Sequence, residues 1–142
     1  MPKKKKPFYL ARAVENIEIL KKLKDSGDDQ FLDWEITIVF YICIHYINCY
    51  YCFNGLEPVT SHIRREEDID YIEDNHHPVK LSKKAYYSYI GLSEMSENAR
   101  YKLIPVQDKE TRINEQKKLL AKAEVFLADV KTFIVGRKCT LD

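Results

Sequence analysis

Helix breakers are what this chain has least of. Four Gly and five Pro among 142 residues leave too few turn points for a fold of many short strands, so the composition favours helices. No charge of one sign dominates: 23 Lys and Arg stand against 22 Asp and Glu, a net of +1. A global field that gathers nucleic acid is excluded, and any such contact needs a local patch. Cysteine is sparse, at positions 43, 49, 52 and 139. Three of the four lie in one apolar segment, where a free thiol behaves as a small hydrophobe. They do not read as a disulfide framework, and reduced thiols fit an expected cytoplasmic location. Lys3, Lys4, Lys5 and Lys6 are followed by Pro7 and an amphipathic segment without an apolar signal core, so no signal peptide is expected. There is no Gly-rich phosphate loop, nucleophile elbow, HExxH or internal repeat. No cofactor is expected.

What the chain does have is one long apolar stretch, residues 30–55, QFLDWEITIVFYICIHYINCYYCFNG. After Glu35 it carries no formal charge until Glu57. Its apolar residues fall on every side of a helical wheel, and such a helix is buried in protein or in lipid. Residues 36–53 are close to the shortest length that spans a bilayer. They carry Thr37, His45, Asn48 and four Tyr, and polar groups at mid-bilayer are costly. We therefore expect the central helix of a water-soluble bundle, with no membrane partner.

Around it, periodicity predicts four more helices. Residues 8–24 place Leu10, Ala13, Val14, Ile17, Leu20 and Leu23 on one face. Ser61 or Thr60 caps a third helix over 61–75, with Glu66, Glu67 and Asp68 in its early turns, where the dipole favours negative charge. His76 and His77, before Pro78, read as an exposed loop. Ser82 caps a fourth helix reaching about residue 103, weakened at Gly91 and broken by Pro105. Its Tyr86 and Tyr89 read as packing residues, with base stacking as an alternative. Asp108 caps the last helix, whose Ile113, Gln116, Leu120, Ala123, Leu127, Val130 and Ile134 repeat at bundle-seam spacing. Residues 1–7 are expected to form a disordered basic start, 8–136 one helical domain, and 137–142 a polar tail.

Within the apolar stretch His45, Cys49 and Cys52 share a surface, a partial zinc pattern. No second Cys pair follows, and no metal site is expected.

One combination of residues goes further. Trp34 opens the apolar helix, and Tyr41 and His45 lie inside it. Gly55, Pro58, Ser61, His62 and Arg65 mark the following turn. Ser96, Ala99, Arg100 and Tyr101 end a later helix as Ser-x-x-Ala-Arg-Tyr. In this order and spacing, residues 31–101 resemble the HEPN superfamily of higher eukaryote and prokaryote nucleotide-binding domains. The resemblance implies an all-α, up-and-down bundle of about five helices that commonly dimerises. It also implies work on RNA or nucleotides, often as a metal-independent endoribonuclease of toxin–antitoxin or defence systems with a partner protein encoded nearby. Other relatives serve as non-catalytic binding or assembly domains. Ribonuclease relatives carry Arg, four to six residues, then His. None of the six Arg here has a His at that spacing.

Metal-free RNA cleavage needs a base for the 2′-hydroxyl, a proton donor for the leaving oxygen and a cation for the phosphorane. The residues of suitable type are His45, His62, Arg65 and Arg100. His62 and Arg65 stand three apart and share a helix face. Plainer roles are open to each. His45 can be a hydrogen-bonded core residue, His62 can order the turn, Arg65 can pair with Asp68, and Arg100 can neutralise a helix C-terminus.

Overall fold

The computed structural model describes residues 5–101 and 108–142, without the side chains of Arg100 and Tyr101. Five α-helices and no strand occur among the described residues. They are α1 (Lys6–Ser26), α2 (Leu32–Phe53), α3 (His62–Ile69), α4 (Lys83–Tyr101) and α5 (Lys109–Gly136). The break at Pro105 and the expected end of α4 at residue 103 lie outside the described residues.

A helix that is apolar all round needs partners all round. α2 has them in α1, α4 and α5, which all pack on it. Ile36, Val39, Ile42, Cys43, Ile47 and Cys49 are almost completely buried. By length and composition Asp29–Phe53 could cross a membrane, but 78% of its most apolar window is buried within the fold. Burying a side chain of this size contributes about 1.5–3 kcal/mol, so this one segment supplies much of the driving force for folding.

The ends of the helices follow local rules. Pro7 sits in the first turn of α1, where its missing N–H has no helical partner to lose. Gly27 closes α1 at φ 66° and donates its N–H to Lys24 O at 3.1 Å, a left-handed cap that favours glycine. The Asp28 carboxylate then accepts from Gln30 N at 3.0 Å and opens a 3-10 turn, Asp29–Phe31, that feeds α2. Asp108 caps α5 by accepting from Thr111 N at 2.9 Å.

The seam of α5 is as expected. Gln116, Leu120, Ala123, Val130 and Ile134 are buried, and the Gln116 amide donates to Asp33 Oδ1 at 2.8 Å, so the one polar seam residue is satisfied. The face of α1 differs from the expectation. Ala13 is fully buried, but Val14 and Ile17 are 45% and 40% exposed. Small Ala13 lets α1 approach α2 closely, and the inward stripe narrows to Tyr9, Leu10, Ala13 and Leu20.

Residues 1–4 of the expected disordered start lie outside the described residues, but Lys5, Lys6 and the C-terminal segment are more engaged than the sequence suggests. Lys5 Nζ reaches Glu57 at 3.0 Å, and Lys6 Nζ donates to Thr140 Oγ1 at 3.1 Å. Cys139 and Leu141, in the segment expected to be a polar tail, are buried against the core.

The third helix is shorter than expected. It ends at Ile69, because the side-chain amide of Asn75 turns back and donates to Glu67 O, Asp68 O and Asp70 O at 3.3, 2.9 and 2.7 Å. Leu81 N takes Ile69 O at 2.9 Å. The last carbonyls of α3 are thereby satisfied outside the helix. As a result Glu66, Glu67 and Asp68 occupy the end of α3, not its early turns.

Candidate functional site

The first turn of α3 gathers the basic residues. Ser61 accepts from Arg64 N at 3.2 Å and fixes where the helix begins. With position 62 opening the helix, His62 and Arg65 stand one turn apart. Arg65 Nη1 donates to His62 Nδ1 at 3.0 Å, and Nη2 donates to Val59 O at 3.2 Å. The His62 ring stacks on Phe40 of α2, with centroids 6.2 Å apart and planes 25° apart. Arg65 is only 3% exposed, while His62 stays at the surface.

A buried guanidinium ordinarily has a carboxylate beside it. No described ion pair involves Arg65. Its Nε and the buried hydroxyl of Tyr89 make no hydrogen bond of good geometry with other groups, but the two side chains adjoin and interact with each other. Burial pushes the Tyr89 phenol up to about 12, and the nearby Arg65 cation works in the opposite direction. Cys43 is also pushed up to about 12 by burial, again eased by Arg65. The charge of Arg65 therefore sits in an apolar layer between α3, α2 and α4.

His45 is elsewhere. It faces α1, where burial first and then the Arg12 cation lower its pKa, against a smaller opposing effect of Glu15. Its Nδ1 is buried without a protein partner. Arg100 belongs to the last turn of α4, and its side chain lies outside the described residues. Of the four candidates, the structure brings His62 and Arg65 together and places His45 on another side of α2. The pairing of Arg65 with Asp68 is not formed. Arg64 takes that carboxylate instead, Nε to Oδ1 at 3.4 Å.

Sequence reasoning missed the group that holds α3 in place. The buried Asp68 carboxylate accepts from Tyr51 Oη at 2.7 Å, and His77 Nε2 stands 3.7 Å from it. His77 Nδ1 accepts from Val79 N at 3.2 Å, which puts the ring proton on Nε2, the atom toward Asp68. His77 also packs edge-on against Tyr51, and Asn75 Oδ1 accepts its backbone N–H at 3.0 Å. The His-His-Pro turn thus holds one exposed histidine, His76, and one built into the fold. The spacing of Arg64 and Asp68, four apart, was the available signal. Tyr51 and His77 are too distant in sequence to point to it.

Beyond α3, Tyr71, Tyr86 and Tyr87 form a ring cluster with centroids 5.3–5.9 Å apart. Lys83 Nζ lies 5.9 Å from the Tyr71 ring, and Tyr87 is 53% exposed. Among the described residues no group of three or more His, Cys, Asp or Glu is arranged to hold a metal. Cys49 instead donates weakly to Lys6 O. No family model, curated protein or solved structure matches this chain.

Proposed function

We propose that this chain is a HEPN-like cytoplasmic protein that binds RNA or nucleotides by their phosphates at the first turn of α3. The single observation behind this reading is the charge order of that helix. His62, Arg64 and Arg65 stand at its positive end and Glu66, Glu67 and Asp68 at its negative end. The macrodipole favours the reverse order. A cationic helix start concentrates positive potential where an anion meets free backbone N–H groups. The buried Arg65, without a carboxylate partner among the described residues, adds to it. The exposed tyrosine cluster with Lys83 offers bases a stacking surface.

On this reading a cleavage reaction needs no metal, and of its candidate residues His45, His62, Arg65 and Arg100, only His62 and Arg65 stand together, with His45 facing α1 instead. The expected Arg-x4–6-His pair is missing, so RNA binding stands ahead of cleavage. The setting proposed is a toxin–antitoxin or defence system, with a partner protein encoded nearby. The test is RNA binding and cleavage in EDTA, comparing the native protein with His62→Ala. His62 is exposed, so its loss leaves the helical circular dichroism unchanged. Binding is expected to weaken about tenfold, near 1.4 kcal/mol, the scale of a charge-assisted hydrogen bond. Equal binding by the two proteins would overturn the assignment.

A second reading has its own observation. Trp34 and Tyr41 lie on one stripe of α2 and are 62% and 43% exposed, and Ile63 on α3 is 72% exposed. Large exposed apolar residues mark contact surfaces. They support a homodimer or a non-catalytic interaction module, and sedimentation over a range of concentrations separates these from a monomer.

A further inference from the structure

We propose that the cleft between the α1–α2 turn and α5 binds a short alkyl diamine as a dication, with Glu35 as its principal contact. The inference is independent of the RNA reading and concerns a different part of the molecule.

The cleft has a volume of about 350 Å³, and Leu23, Leu32 and Leu120 give it apolar walls. Three carboxylates, Asp28, Asp29 and Glu35, and two ammonium groups, Lys24 and Lys117, also line it. Both lysines are engaged. Lys24 Nζ pairs with Glu124, and Lys117 Nζ lies 3.5 Å from Asp29 Oδ1. Asp28 accepts from Gln30 N and Gln30 Nε2 at 3.0 and 2.7 Å, two neutral donors, while Lys109 acts on it through space. Glu35 is engaged least. It is 2% exposed, and among the described residues no hydrogen bond or ion pair reaches its carboxylate. Burial raises its pKa; Lys24 eases this through space, and Glu124 and Asp29 work against Lys24. The first turn of α2 favours a carboxylate there but supplies no counter-ion. A buried charge is ordinarily paired. Glu35 and Asp28 thus leave two negative charges without an ion pair in one apolar-walled cleft. A metal ion is a poor fit, since no group of three or more His, Cys, Asp or Glu converges among the described residues, and hard cations take six or more oxygen ligands. An alkyl diamine carries one ammonium, with its three donors, for each carboxylate. Its methylenes lie against the leucines.

The experiment titrates 1,4-diaminobutane into full-length protein labelled with 13C at the glutamate carboxyls, and Glu35→Gln assigns the Glu35 signal by its absence. The diamine is expected to shift that carbon saturably. It is also expected to lower the pH at which Glu35 titrates, because an adjacent cation favours the ionised form. Glu35→Gln keeps the shape of the side chain and removes its charge. Read from the backbone amide shifts of residues 32–36, it is expected to lose about tenfold in affinity. n-Butylamine, with one ammonium, is expected to bind about threefold more weakly than the diamine, the scale of an exposed ion pair. Asp28→Asn, whose side-chain oxygen still accepts from Gln30 N, is expected to abolish that difference. No saturable shift at Glu35, or equal affinity of Glu35→Gln, would overturn the site. An unchanged preference for the diamine in Asp28→Asn would overturn the second contact. Magnesium chloride that displaces the diamine at equal concentration would overturn the choice of an organic dication. Tighter binding of Nα-acetyl-lysine methylamide than of the diamine would overturn the free diamine in favour of a lysine side chain.

Discussion

Four thiols share one core, and burial sets their chemistry. Cys43, Cys49, Cys52 and Cys139 are all fully buried. Burial pushes Cys43 and Cys49 up to about 12 and raises the other two. The thiolate is the reactive form, and an ordinary thiol reaches it near pH 8.5. Native protein at pH 8 is therefore expected to be silent to a thiol-specific chromogenic reagent. All four groups should react once denaturant is added, and rapid reaction of native protein would contradict the burial. Glu35 makes the opposite case, a charged group at 2% exposure. Burial raises its carboxyl pKa, partly offset by Lys24. A raised carboxylate pKa means that the folded state resists ionisation, so stability declines as pH rises through the ordinary value toward the folded one. Glu35→Gln is expected to stabilise the protein at pH 7 relative to the native chain. The gain should close as pH falls to about 3, well below the ordinary carboxyl value, where the group is protonated in both states. Thermal melts at the two pH values measure it.

Between elements, two contacts decide more than propensity does. Gly91 lies inside α4, where Ala would ordinarily be better by about 1 kcal/mol. A Cβ at that position would stand 2.6 Å from Cε2 of Phe126 on α5. Gly91→Ala is therefore expected to destabilise by about 1–3 kcal/mol through overpacking. In the background of Phe126→Leu the sign should reverse, and the double-mutant cycle reads the coupling directly. The other contact is the Asn75 side chain that ends α3. Asn75→Ala leaves carbonyls of the last turn unpartnered and should cost about 1–3 kcal/mol. Hydrogen exchange should quicken in α3 while the amides of α2 keep their protection. Uniform loosening of both helices would mean that α3 is not a separate unit.

At the scale of the whole molecule, the chain has a single Trp, and it lies on the exposed stripe of α2. Trp34 in a monomer should emit like a solvated indole and be quenched by iodide. If a second copy covers this stripe, quenching should fall as protein concentration rises. A dimer seen by sedimentation with unchanged quenching would put the interface elsewhere. The membrane alternative is also a matter for this scale. The same apolar sequence suits lipid or a protein interior, and the choice here falls to α1, α4 and α5, which wrap it.

The sequence by itself determined the all-helical architecture, the central place of α2, the caps at Ser61 and Asp108 and the seam of α5. Each of these depends on neighbours within a few residues or on a period that one helix repeats. It also brought His62 and Arg65 onto one face, because a helix does that for any pair three apart. Only the tertiary structure decided that His45 faces α1, that Val14 and Ile17 remain exposed, and that Asp68 belongs to Tyr51 and His77. Those outcomes depend on the rotation of one packed helix against another and on contacts between residues 17 and 9 apart, closed by the irregular loops on either side of α3. The place of Arg65 is likewise tertiary in part: its bond to His62 is local, but the guanidinium is held there because neighbouring helices bury it.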